Sequence, residues 1–387
     1  MAGKRHHIIP RFLQKGFASR IEDSTKNEKV FVIQYLRGKD AGREESTRNT
    51  MASEHYYGKG EASADDEMTD FENEFLTPRI QALRDGASIS PREIAELVAH
   101  FSIRPKLIRE TFASMSKQFL GEMGDVMADT SLWNQAFENM PPEFVADLFQ
   151  DLPSKIDADS EEGHMLKKLE ASGFDLGKLG EMAASLTNLM MEDSDSRAAM
   201  SSITSSTLSE ALTIEDVTLK ASIKEGHVRS IKDQVVPERR VELFEQFTWE
   251  VQNCDFNLIL GDCGVFYISR KEEQIVPFCD LGDVLAVFLP LSSGLLLRGF
   301  LPPIERMDEF KVGVNAEIAK CSYDEFVACS EKEEFAQLIP LIRSHDTASS
   351  GASELKETIE ELRRNILDGT VFDIHAKDSD KSSGDSK

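Results

Sequence analysis

Histidine is scarce in this sequence, eight in 387 residues, and two of the eight stand side by side as His6 and His7. Long apolar runs are lacking altogether. No stretch of about 18 or more nonpolar residues occurs, so nothing reads as a membrane span. The basic start Met1-Ala2-Gly3-Lys4-Arg5 leads into no apolar segment, so no secretory signal is expected. Cysteine is both sparse and one-sided: Cys254, Cys263, Cys279, Cys321 and Cys329 all fall in the last third, with no Cys-x-x-Cys pair. Five thiols so spaced are expected to be reduced, mostly buried side chains of a cytoplasmic protein. A Gly-rich phosphate loop, a Gly-x-Ser-x-Gly elbow and zinc-type cysteine spacing are lacking as well. Ser292-Ser293-Gly294 has no nearby partner that would make it a nucleophile. Excess positive charge is missing overall, the formal net charge being −25, which argues against extended nucleic-acid binding.

What is present begins with a local exception to that acidity. Residues 1–50 hold eleven Lys and Arg against six Asp and Glu. A basic patch on an acidic body fits an anionic small molecule or an internal contact between lobes. Phe12, Leu13 and Phe17 predict a short helix from Pro10, and Val30 to Leu36 predicts a strand. Residues 40–50 read as polar loop, followed by the aromatic-bearing segment Ala52 to Gly58. Met68 to Leu83 has helical spacing. Ser90-Pro91-Arg92-Glu93 is a capping box with proline at the first helical position. The apolar stripe it opens runs from Ile94 to Met123, with a kink expected at Pro105 that would leave carbonyls near Phe101 unpaired.

Further on, helices are expected after Pro141-Pro142, around Met165 and from Phe174 to Met191. Glu192 to Ser209 reads as a mobile Ser/Asp-rich segment. Phe256 to Leu260, the turn Gly261-Asp262-Cys263-Gly264, and Val265 to Ile268 read as strand, tight turn, strand. Val284 to Leu289 and Leu295 to Leu297 add two more strands. Helices are expected over Val314–Cys329, Phe335–Arg343 and Ser353–Leu367, then a disordered tail from Ala376. The fold class expected is α+β, mostly helical, with a small antiparallel sheet and a helical insertion. Its segments are an N-terminal helical lobe over 1–130, a variable helical insertion over 131–240, and sheet plus helices packing on the first lobe over 241–350. A C-terminal helix and tail fill 351–387.

The opening His6-His7-Ile8-Ile9-Pro10-Arg11-Phe12, with Phe17, resembles that of a widespread domain-of-unknown-function family of bacteria, fungi and phages. The family's usual leucine is replaced by Gln14 and its usual asparagine by Gly16. Glu54-His55-Tyr56-Tyr57 looks like its Glu-x-x-Tyr segment, and Phe71 to Glu74 sits at its short acidic helix. Phe101 to Pro105 resembles its Gln-x-x-Arg-(Thr)-Pro segment, with Phe101 for glutamine. Leu260 to Val265 is similar to its Asp-x-Pro-Val turn, with Gly264 for proline. Phe288 to Ser292 matches its Pro-Leu-Ser strand, and Asn315 falls at its helix asparagine. The resemblance covers about residues 5–125 and 245–330 and implies architecture, with no activity attached.

The residue types point to one composite site, with His7, Glu54 and Asp262 as catalytic groups. A histidine serves as general base near neutral pH. An aspartate on a Gly-rich turn has oxygens free to orient it or to hold a divalent metal. Arg104, at the proline kink, would pair an anionic substrate bidentately, with Arg11 and Asn315 as further ligand-binding residues. The reaction expected is hydrolysis of a phosphate-bearing ligand, with His7 close to Asp262. Two readings compete with it. The first takes the same residues as structural, in a scaffold or sensor that meets a protein partner through its Met-rich helices. His6-His7 also resembles the first strand of an HNH-type nuclease finger, which needs a second metal ligand on a helix 25–35 residues later.

Overall fold

The computed structural model describes residues 5–23, 28–59, 63–140, 185, 187, 189–213, 216–271, 274–301, 313–345 and 352–367. The helices expected after Pro141 and around Met165, most of that from Phe174, and the tail from Ala376 lie outside these. The chain forms two compact units, Met1–Ser114 with Val217–Ala348, and Met115–Asp216 with Ser349–Lys387.

In chain order the first unit opens with strand β1 (Arg5–His7) and helix α1 (Arg11–Gln14), then β2 (Arg20–Glu22), β3 (Lys29–Leu36), β4 (Arg43–Ser46) and β5 (Ala52–Glu54). Helices α2 (Asp65–Phe71) and α3 (Thr77–Arg84) are joined by a wider π-type turn over Glu72–Leu76. Next come α4 (Pro91–Ser102) and α5 (Lys106–Ala128), the latter passing into the second unit at Met115. In the second unit lie α6 (Thr130–Glu138) and α7 (Ser194–Ala211). The chain then returns through α8 (Asp216–Asp233) and α9 (Glu238–Glu245). Strands β6 (Thr248–Asn253), β7 (Leu260–Gly261), β8 (Phe266–Ser269), β9 (Ile275–Val276), β10 (Val284–Ser292) and β11 (Leu295–Phe300) follow. Helix α10 (Val314–Cys321), strand β12 (Glu325–Ala328) and helix α11 (Glu333–Ala336) finish the first unit, and α12 (Ala352–Leu367) belongs to the second.

The class is α+β with antiparallel sheets. The β component is larger than a single small sheet: one five-stranded sheet runs β6-β11-β10-β8-β9, another holds β2-β3-β12-β7 with β4 on β3, and β1 pairs β5. Local pattern misplaced four pieces. The helix expected over Phe335–Arg343 is only the end of α11, which stops at Ala336, followed by a 3-10 turn over Ile339–Leu341 that Pro340 opens, and Arg343 has a positive φ of 61°. Residues 256–268 are no hairpin, because β7 pairs with β12 and β8 with β10, in different sheets. The helix expected over 314–329 stops at Cys321, since Glu325–Ala328 pairs with β3 and β7. Part of the loop expected over 40–50 is strand β4, paired to β3 from Phe31 to Gln34.

The Ser90 capping box is present in full, with Ser90 Oγ accepting from Glu93 N and Glu93 Oε2 accepting from Ser90 N. The break expected at Pro105 separates α4 from α5. The Phe101 carbonyl is nonetheless satisfied, accepting from the amides of Ile103 and Arg104. Glu192–Ser209, expected to be mobile, is largely helix α7. Asp193 caps it through Ser196 N, and Ser201 Oγ folds back onto the Arg197 carbonyl.

The core of the first unit gathers Ile9, Leu13 and Phe17 with Val98, Phe101, Phe266, Leu289 and Phe326. In the second unit Leu132, Trp133, Phe137, Ile359 and Ile366 form a separate core against which Met123, Met127, Met140, Met191 and Met200 pack. Those methionines fill a core.

Candidate functional site

Two buried arginines organise the site, and both sit on the segment that leaves α4. Arg104 is 1 % exposed. Its Nε donates to the Tyr57 hydroxyl at 3.0 Å and its Nη2 to the His7 carbonyl at 2.7 Å. Nη1 pairs with the Glu72 carboxylate and donates to His100 Nε2 at 2.9 Å. His100 Nδ1–H in turn faces the Val235 carbonyl at 3.1 Å. This fixes the histidine as the neutral tautomer, and burial together with Arg104 holds its pKa well below the usual range. The Tyr56 hydroxyl donates to the Arg104 carbonyl at 2.8 Å. Every nitrogen of the Arg104 guanidinium thus has a protein acceptor, and Glu72 neutralises its charge.

Arg109 lies on the first turns of α5 and is 8 % exposed. Its Nε donates to His227 Nδ1 at 2.5 Å, its Nη1 to the Tyr56 carbonyl at 2.8 Å, and its guanidinium sits 3.7 Å from the centre of the Tyr56 ring. His227 Nε2–H donates to the Ile103 carbonyl at 2.8 Å. Burial, then Arg109, lowers the His227 pKa to about 4, so the ring is neutral. Nη2 of Arg109 is buried with no hydrogen-bond partner, and no carboxylate pairs with the guanidinium among the described residues.

Beside it opens a cleft of about 230 Å³ within the first unit, bordered by Ser53, Glu54, Tyr56, Lys106, Arg109, Glu110, Ala113, Lys220, Ile223 and Lys224. Lys106, Arg109, Glu110 and Ala113 follow helical spacing on α5, as do Lys220, Ile223 and Lys224 on α8, so each helix lends one face. Lys106 is tied to Asp324 at 2.8 Å. Burial, Arg109 and Lys59 all lower the pKa of Lys224, so positive charge is crowded here.

Of the residues expected from sequence, Glu54 borders this cleft. His7 is next door on β1, paired with Ala52 of β5. Burial, with Arg11 and Arg104, lowers its pKa to about 4. Its Nδ1 is buried with no partner. Asp262 is 4 % exposed, its charge is felt by Tyr56 of the cleft, and its carboxylate accepts from the backbone amides of Tyr323, Asp324 and Glu325 at 2.7, 2.8 and 3.3 Å. No hydrogen bond or ion pair joins His7 to Asp262 among the described residues. Arg104 is turned to internal acceptors, as above. Asn315 bridges Ile259 N and the Asn257 carbonyl at 3.0 and 2.8 Å, clipping one loop to α10.

Arg11 borders a second hollow, of about 280 Å³, with Lys15, Thr47, Thr77, Gln81 and Arg84. There every cation has an acceptor: Arg11 faces Thr47, Lys15 faces Glu28, and Arg84 binds the carbonyls of Phe12, Leu13 and Leu291. His6 Nδ1 accepts from Tyr57 N at 2.8 Å, and its ring stacks on Tyr57. Residues 29–36, at part of the spacing where a nuclease finger needs its helix, are strand β3. Among the described residues no group of three His, Cys, Asp or Glu side chains is placed to hold a metal ion. No helix among them is long and apolar enough to cross a membrane.

Sequence reasoning missed Arg109, Lys224 and His227. The one available signal was the matching i, i+4, i+7 spacing of Lys220, Lys224 and His227. No family model matches this chain, and neither a curated protein nor a solved structure matches it.

Proposed function

We propose that this protein binds a small phosphate-bearing ligand in the cleft between the basic faces of α5 and α8. The observation that carries this reading is Arg109, a buried guanidinium with one nitrogen lacking an acceptor and no carboxylate to neutralise it. Burying a cation without a counter-charge is expensive, and an anion in the cleft beside the Arg109 guanidinium would supply the missing charge. Phosphate suits the planar donor fork of arginine, and Lys224 adds a second, point-like cation. Arg104, equally buried but neutralised by Glu72, supports the internal frame that carries β1 and Tyr57.

Hydrolysis of that ligand is the second reading, favoured by Glu54, a residue that borders the same cleft. A carboxylate beside a bound phosphate ester is placed to activate water. All five cysteines are free, which supports a cytoplasmic setting as part of the proposal.

The test is thermal unfolding with phosphate titrated against chloride at constant ionic strength. Saturating phosphate should raise the Tm of the wild type by several degrees through linkage, about 2.7 kcal/mol at a hundredfold excess over Kd. Lys224→Met, a half-buried position with no ion pair to lose, should fold normally and lose most of that rise. No rise with phosphate or simple phosphate esters refutes the reading. Phosphate release from an ester by the wild type, absent in Glu54→Gln, separates hydrolysis from binding alone.

A further inference from the structure

The cleft that holds Arg109 also holds acid. Glu110 follows Arg109 on α5, borders the cleft and is half-buried. It makes no hydrogen bond or ion pair among the described residues, although its charge is felt by Lys106 and Tyr323. Glu54 is a second acidic residue at its border.

A cleft shaped only for an anion would gain from lacking both carboxylates, since like charges a few ångströms apart repel. Their presence beside an unneutralised arginine makes the cleft bipolar. Size narrows the ligand further. A volume of about 230 Å³ falls under the roughly 300–1,000 Å³ of drug-sized sites. A compact metabolite fits it.

We infer that the ligand is a small zwitterionic phosphate ester, its phosphate held by Arg109 and Lys224 and its protonated amine by Glu110. This deepens the phosphate-binding reading and rests on it.

Calorimetric titration of the full chain with inorganic phosphate, ethyl phosphate and O-phosphoethanolamine separates the two. The wild type should bind all three, and the amino ester about tenfold tighter than ethyl phosphate, the scale expected of one close charge pair. Glu110→Gln, which removes no internal bond, should erase that preference while leaving ethyl phosphate bound at least as well. Equal affinity of the wild type for the two esters overturns the zwitterion assignment with phosphate binding intact. A preference that survives Glu110→Gln overturns the role of Glu110. Failure of all three to bind removes the phosphate reading itself, and this inference with it.

Discussion

Arg109 and His227 share one hydrogen bond, Nε–H to Nδ1 at 2.5 Å, and the histidine passes its other N–H to the Ile103 carbonyl. The pairing repeats what Arg104 does with His100 and Val235. In each case a neutral imidazole accepts from a guanidinium and donates to a carbonyl. The difference lies in the counter-charge: Glu72 meets Arg104, while no carboxylate meets Arg109 among the described residues. One arginine is therefore complete within the fold and the other is not.

Arg104→Met should cost about 3–5 kcal/mol, the scale for breaking one side of a buried, hydrogen-bonded charge pair. The loss leaves Glu72, the Tyr57 hydroxyl, the His7 carbonyl and His100 Nε2 without their donor. Arg104→Lys should recover little of this, because an ammonium cannot reach acceptors on three sides. Urea unfolding measures both. A loss below about 1 kcal/mol for Arg104→Met would remove Arg104 from its central place.

Stability should fall between pH 6.5 and pH 4. His7 and His227 are each depressed from 6.5 to about 4 and are neutral when folded. Across that window the unfolded chain binds more protons than the native one, so their contribution is complete above 6.5 and lost as pH drops through 4. Asp262 works in the opposite sense, because burial raises it to about 7. Its contribution is complete below pH 3.8 and fades as pH rises through 7. Chemical denaturation at several pH values should show a shallower acid loss in His227→Gln and a steeper one in Asp262→Asn. Unchanged slopes in both variants would contradict these assignments.

Restoring residues of the family that the opening resembles should destabilise this chain. A Cβ at Gly16 would lie 2.4 Å from Arg84 Nη2 and 2.5 Å from the Leu291 carbonyl oxygen. Gly16→Asn should cost about 1–3 kcal/mol by overpacking. Gly264 has φ of 65°, which proline cannot adopt, so Gly264→Pro should cost about 3 kcal/mol or more. Melting temperatures near wild type for both variants would contradict the close packing described.

Local chemistry was legible where its partners lie close in sequence. The Ser90 capping box, the strand from Val30 to Leu36 and the helix break at Pro105 all involve neighbours within a few residues. Gln14, a polar residue at a fully buried position, is explained only by the fold: its amide donates to the Ile9 carbonyl and accepts from Thr50 Oγ1. Pairings over long separation were not legible. The segment 325–328 has helix-compatible residues, yet β3, nearly three hundred residues earlier, offers it a ladder. Glu54 was picked out by residue type and borders the cleft. Arg109 was not, because its meaning depends on His227, 118 residues away, and on an acceptor the protein itself does not provide.

The most direct measurement is a crystal structure of the full chain grown with tungstate, a tetrahedral and electron-dense stand-in for phosphate. The account predicts anion density in the cleft beside the Arg109 guanidinium and within hydrogen-bond distance of Lys224 Nζ. Tungstate bound only elsewhere, or an Arg109 whose Nη2 is satisfied by a protein carbonyl or carboxylate, would contradict it.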